Sequence, residues 1–274
     1  MLRDITIGQY YPAESLIHDL DPRTKIAFTF VFIISLFFST HLVLYAFAAL
    51  ALGMVIRTSL VPFSYMIKGL KSIVILILFT VFINIFLTSG DHVILDLGFA
   101  TVTLEGLLAA AAMAVRLIML IIGSSLLTLT TSPINLTDAI ERLLKPFERI
   151  HVPAHEIAMM MTIALRFIPI LLEETDKIMK AQMARGADFE SGGLIKRAKN
   201  MVPLLVPLFI SAFRRADDLA LAMEARCYRG GVGRTKMKQL KYTRKDMGAY
   251  IVMLLYLVAM IVLSRFFQGV DLFI

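Results

Sequence analysis

The sequence predicts an all-α integral membrane protein with about five transmembrane helices and a cytoplasmic region of three helices, two of them long. Three observations carry this. Of the 274 residues 58% are hydrophobic and only 18% charged, with a mean hydropathy of +0.77, which is too apolar for a soluble domain and suits several spans. Four stretches, Ile26 to Ile56, Ser72 to Gly90, Leu104 to Thr131 and Gly248 to Ser264, are apolar enough to enter lipid. Between Pro133 and Met247 the composition turns abruptly basic: this segment carries 20 of the 28 Lys and Arg against 13 of the 21 acidic residues.

The N-terminal segment, residues 1–25, is mixed and charged and lacks the basic start and apolar core of a cleavable signal. The first span is therefore expected to serve as the insertion signal. Ile26 to Ile56 contains no Asp, Glu, Lys or Arg. As one helix it would run about 45 Å, well beyond a hydrocarbon core of about 30 Å. A hairpin turning near Ser39, Thr40 and His41 instead keeps Arg23 and Lys25 on the same side as Arg57, Lys68 and Lys71, as the positive-inside rule requires. The next loop, Ser89 to Thr103, carries Asp91 and Asp96 and no basic residue, so it falls outside. Residues 26–132 thus form a membrane domain with four spans. A fifth span in 248–274 leaves the N-terminus inside and the C-terminus outside.

Residues 133–247 belong in the cytoplasm by their charge. Ile157 to Leu172 and Met201 to Phe213 are apolar, but the first contains Arg166 and Pro169 and the second is short. Threading both would put the basic linker Ser191 to Asn200 outside. Ser132-Pro133 and Pro153 read as helix starts, while Gly186, Gly192-Gly193 and the "GVGR" from Gly231 to Arg234 read as helix punctuation. Three helices follow, near 133–149, 153–185 and 194–228. Pro169, Pro203 and Pro207 are expected to bend the long ones or leave their early turns irregular.

The two long helices end alike. Asp176, Ala181, Ala184 and Arg185 recur 41 residues later as Asp217, Ala222, Ala225 and Arg226. A cation at a helix C-terminus complements the dipole and a following glycine ends the helix. The same pattern also makes a plug: alanines permit close approach, and an arginine fork pairs with a carboxylate in a partner's groove. Two copies imply a two-part partner.

With these two helix ends, "LDPRTKI" at Leu20 to Ile26 and "IHVPAHEIAMMMTIALRFIPILLEE" at Ile150 to Glu174, the chain resembles the transmembrane coupling subunits (EcfT family) of energy-coupling-factor vitamin importers along essentially its whole length. The resemblance implies that Ala184-Arg185-Gly186 and Ala225-Arg226-Cys227 are docking motifs for two ATP-binding-cassette ATPases. It implies further that the helices bearing them support a separate membrane protein that captures the substrate, in a bacterial plasma membrane. Cys227 departs from the family's glycine, and its small thiol suggests that compactness matters more there than a positive φ.

Other features point to structure. Arg116, inside an apolar span, is expected to find an ion-pair partner. Gly106, Ala110 and Ala114 have the spacing of a helix-packing face. Methionines at 159–161, 179, 183, 201 and 223 suit either a core or an adaptable partner surface. Glu173, Glu174, Asp176, Asp217, Asp218 and Glu224 sit among basic neighbours, as solvated faces and interhelix ion pairs do. His151 and His155 read as helix-entry residues. The lone Cys227, with no His/Cys cluster, offers neither a disulfide nor a metal site, and no cofactor or nucleic-acid partner is expected. No GxxxxGK[ST] occurs, so the chain is not itself a Walker-type ATPase; the resemblance implies that ATP hydrolysis falls to partners and that this chain is not an enzyme. A rival class, a membrane-embedded enzyme or secondary carrier, would use Arg116, Arg166 and the acidic residues as its site.

Overall fold

The computed structural model describes residues 10–39, 41–71, 73–88, 92–96, 101–189, 193–231 and 239–267. Thr40 of the expected turn, Asp91, Gly192 and the segment Gly233-Arg234 lie outside them. The described residues between 8 and 139 and between 240 and 274 form one compact unit, and those from 140 to 239 form another.

In the first unit, α1 (Pro22–Phe37) and α2 (Leu42–Ser59) are the two limbs of the uncharged stretch, broken where Ser39 and His41 announce a turn. Asp21 caps α1, its carboxylate accepting from the Arg23 amide at 2.9 Å, and Pro22 occupies the first turn, where its missing N–H costs nothing. At 16 residues α1 is about 24 Å long, short of a full hydrocarbon core. A helix not foreseen from the sequence, α3 (Phe63–Lys71), precedes α4 (Val74–Leu87), and the two meet at 63°. By length and composition α2 and the later helices α5 (Leu104–Thr130), α7 (Ala154–Ala184) and α9 (Arg244–Phe267) can each cross a membrane, and the bent pair α3–α4 makes a fifth candidate.

The segment expected only as an outer loop contains a two-stranded antiparallel ribbon, β1 (Val93–Asp96) with β2 (Thr101–Thr103), in register Val93 with Thr103 and Asp96 with Thr101. Thr103 then starts α5 (Leu104–Thr130): its hydroxyl accepts from the Gly106 amide at 3.1 Å and donates to the Thr88 carbonyl, 3.1 Å away at the end of α4. Gly106 allows that approach, since a Cβ there would stand 3.2 Å from the Thr88 carbonyl and 3.3 Å from that of Ile85. The small-residue face expected at Gly106 and Ala110 is thus buried helix packing.

α5 is the axis of this unit, packing against α1, α2, α3 and α4. The core joins Leu36, Tyr45, Leu52, Met66, Met119 and Leu129. Arg116 projects from α5 but meets no carboxylate among the described residues: Nε donates to the Tyr45 hydroxyl at 2.8 Å, and the second amine bonds that hydroxyl and the Ser39 carbonyl, the latter at 3.2 Å. The expected ion pair is replaced by a phenol and a helix-end carbonyl. These satisfy the donors without burying a second charge.

α9 (Arg244–Phe267) closes the unit against α1 and α2. The Asp246 carboxylate, 1% exposed, accepts from the Asp21 amide (2.7 Å), the Thr24 hydroxyl (3.2 Å) and both the amide and hydroxyl of Thr243 (2.8 Å each). The "LDPRTKI" segment is therefore where the first and last helices of this unit are fastened.

The second unit contains the end of α6 (Pro133–Leu144), a 3-10 turn (Lys145–Ile150), α7 (Ala154–Ala184) and α8 (Leu194–Ala225). These match the three expected helices. α7 runs unbroken through Pro169, and α8 through Pro203 and Pro207.

Candidate functional site

The two arginine-bearing ends are built from one backbone design. At the end of α7, the Gly186 amide donates to the Met183 carbonyl (2.9 Å) and the Ala187 amide to that of Gln182 (3.0 Å). At the end of α8, the Cys227 amide donates to Glu224 (2.8 Å) and the Tyr228 amide to Met223 (3.0 Å). Each is a Schellman closure, satisfying carbonyls the helix leaves open and requiring a left-handed residue just after the arginine. Gly186 has φ +89°, and Cys227 has φ +54°. The expectation that compactness outweighs a positive φ at Cys227 is overturned, because the closure fixes both.

Arg185 and Arg226 share φ near −90° and ψ near 10°. Both are exposed beside exposed Ala184 and Ala225, and neither makes an ion pair among the described residues.

Three contacts set where these ends lie. Near the end of α7, the Asn200 side chain donates through Nδ2 to the Asp188 carbonyl at 2.6 Å. Midway, Glu174 accepts from the Ser211 hydroxyl at 2.5 Å and from the Arg215 guanidinium at 2.8 Å. At the start of α7, the Tyr228 hydroxyl is 3.5 Å from His155 Nε2. The helices therefore run antiparallel, with Arg226 by the start of α7 and Arg185 at its far end. Eleven helical residues separate each arginine from the Glu174–Arg215 pair, which puts the two ends about 33 Å apart at 1.5 Å per residue.

The second end also has a cleft of about 680 Å³ beside Arg226, lined by Glu141, His155, Met159, Met223 and Tyr228 among others. His155 was expected only to open a helix. Its Nδ1 is 3.0 Å from Glu141 Oε1, and its ring packs on the loop after Arg226 so closely that a Cβ on Gly231 would come within 2.6 Å. The signal in the sequence was the adjacent Gly230-Gly231. Met159 and Met223 face this cleft. Of the acidic residues, Glu174 proves to be the interhelix ion pair, with the Ser211 hydroxyl and Arg215 guanidinium holding its carboxyl below the usual range.

No group of three His, Cys, Asp or Glu among the described residues could hold a metal. Arg166 is exposed on α7, and Arg116 is engaged with Tyr45 and Ser39.

Residues 13–238 match the family described as "Cobalt transport protein" (CbiQ). The chain is 58% identical to an energy-coupling factor transporter transmembrane protein EcfT of Clostridium kluyveri, over 98% of this chain and 100% of that one. The EcfT of Thermosediminibacter oceani is 59% identical over 97% and 99% of the two chains, and that of Bacillus subtilis 48% over 97% and 100%. The sequence identity thus runs nearly end to end, and the chain belongs to the EcfT family of energy-coupling factor transporter transmembrane proteins.

Proposed function

We propose that this chain is the coupling subunit of an ATP-driven importer of vitamins or other micronutrients. Two ABC ATPases dock on the ends of α7 and α8, and the helices carry their motion to a substrate-capture membrane protein. One observation bears most of the weight. Two exposed arginines sit on the same backbone closure at opposite ends of an antiparallel helix pair, about 33 Å apart along the helices. That separation supports two grooves on two partners. Ala184, Arg185 and Gly186 serve the first groove, and Ala225, Arg226 and Cys227 the second. In this reading the N-terminus and residues 133–247 face the cytoplasm of a bacterial cell, α7 included, and the C-terminus lies outside the plasma membrane.

Co-purification of the ATPases and ATP-driven uptake test it. As helix punctuation alone, each arginine is worth at most about 1 kcal/mol of local stability. As a desolvated anchor opposite a carboxylate, its loss costs about 2 to 5 kcal/mol of binding. Arg185→Ala and Arg226→Ala should each weaken one ATPase contact, and the double variant should lose both ATPases and uptake. Lysine should restore part of the binding, since an ammonium does not reproduce the fork. A double variant that keeps both ATPases and transports normally refutes the proposal.

A further inference from the structure

A cleft of about 460 Å³ opens between α1, α2, α5 and α9, and its lining is of two kinds. Phe28, Val55, Leu126 and Val252 make apolar walls, while Lys25 and Lys245 add two cations. Lys25 is 7% exposed. Its ammonium donates to the carbonyls of His18 (3.0 Å) and Thr130 (2.9 Å). The second bond caps the C-terminus of α5, yet neither acceptor carries a full charge. The third N–H has no acceptor among the described residues.

The neighbouring carboxylates are committed elsewhere. Asp21 holds Arg23 at 2.8 Å, Asp19 holds Lys245 at 2.7 Å, and Asp246 is filled by its four donors. These carboxylates favour the Lys25 charge through space, but none is bonded to it, so one N–H is left for an anion to take. Arg23, Lys25, Arg244 and Lys245 also gather at the N-terminal ends of α1 and α9, where basic residues mark the cytoplasmic headgroup level.

We propose that this cleft binds an anionic phospholipid, with an acyl chain along the apolar walls and the headgroup phosphate on Lys25. Lys245, exposed at the rim, turns from Asp19 to the same phosphate. Basic pockets between membrane helices on the cytoplasmic side have this chemistry. Free phosphate shares the headgroup chemistry but has nothing to set against Phe28 or Leu126, so the lipid is the source. The site goes beyond ATPase docking and depends on no part of it.

The chain contains no tryptophan, so one introduced indole reports alone. Val252, 59% exposed, has room for it, and Ile75 on α4, 80% exposed, serves as a control away from the cleft. The full-length Val252→Trp and Ile75→Trp chains are reconstituted in phosphatidylcholine vesicles titrated with brominated phosphatidylglycerol or brominated phosphatidylcholine. In the Val252→Trp chain, half-maximal quenching should need about five-fold less of the anionic lipid for each lysine engaged. The Ile75→Trp chain should show no preference, and Lys25→Gln in the Val252→Trp chain should lower it about five-fold. Equal quenching by both lipids, no quenching by either, or the same preference in the control overturns the proposal. Relief of quenching by inorganic phosphate assigns the site to a free anion and also overturns it. If the Lys25→Gln chain does not reconstitute, the headgroup comparison with the lysine intact decides alone.

Discussion

Glu174 and Arg215, joined at 2.8 Å, occupy the same position in two copies of one segment: Glu174 stands eleven residues before Arg185, and Arg215 eleven before Arg226. The fastening between α7 and α8 therefore falls at equal distance, about 16 Å of helix, from each arginine end.

This pair predicts a pH response. Glu174 has a folded-state pKa below its ordinary value, so its stabilisation is complete above that value and is lost as pH falls through the lowered one. Spin labels at exposed Lys180 and Phe213, in a Cys227→Ser background, should show a distance distribution that broadens on acidification below about pH 4. Glu174→Gln should be broad already and insensitive to acid. An unchanged acid transition in Glu174→Gln would remove the pair from this role.

Cys227 adopts a left-handed backbone that costs an L-residue about 1 kcal/mol or more. Cys227→Gly should tighten the end of α8, raising protection of the Tyr228 amide about five-fold in hydrogen exchange. Cys227→Val should loosen it further, since a branched Cβ fits that region worst. Gly186→Ala should weaken the end of α7 through backbone strain alone, because a Cβ there meets nothing within 4 Å. Lower protection in Cys227→Gly than in the unaltered chain would contradict the closure.

Asp246→Ala strands four donors, two of them backbone amides, and should destabilise the first unit by about 3 kcal/mol or more. Asp246→Asn should lose less, since one oxygen still accepts. Thermal unfolding in detergent checks the order. Equal midpoints for all three chains would show that the carboxylate fastens nothing.

Membrane topology is open to direct labelling. With Cys227 replaced, a cysteine at Asp91 should react with an impermeant thiol reagent in intact cells, and one at Gly192 should be protected. The same experiment separates α7 as a cytoplasmic helix from α7 as a span, a role its length and apolar composition also permit. Labelling at Gly192 with protection at Asp91 reverses the orientation and takes the arginine ends out of the cytoplasm.

How much was legible in the sequence follows from the range of each signal. Local punctuation was readable: the break before Leu42, Pro133 opening α6, Pro153 ahead of α7, and Arg185-Gly186 closing it. These depend on a residue and its neighbours within one turn. The Asp21–Asp246 fastening, 225 residues apart, leaves no periodicity to read. Arg116 was visible as a charge in an apolar run, but Tyr45 as its partner was not, because a tyrosine in a span advertises nothing. The ribbon at Val93–Asp96 and Thr101–Thr103 is too short to stand out. At Cys227, residue type argued against a conformation that the preceding helix end dictates.

The distance between Asp21 and Asp246 also orders biosynthesis. The Asp21 amide and the Thr24 hydroxyl wait for a carboxylate made 225 residues later. At about 5 to 20 residues per second, that is roughly 10 to 45 seconds of translation. Throughout that interval the start of α1 stays unfastened, and every helix up to α8 is made before the carboxylate that locks it. The membrane bundle is therefore finished last, by its final helix, and a ribosome that stalls before Asp246 leaves an inserted chain whose first helix has never been locked.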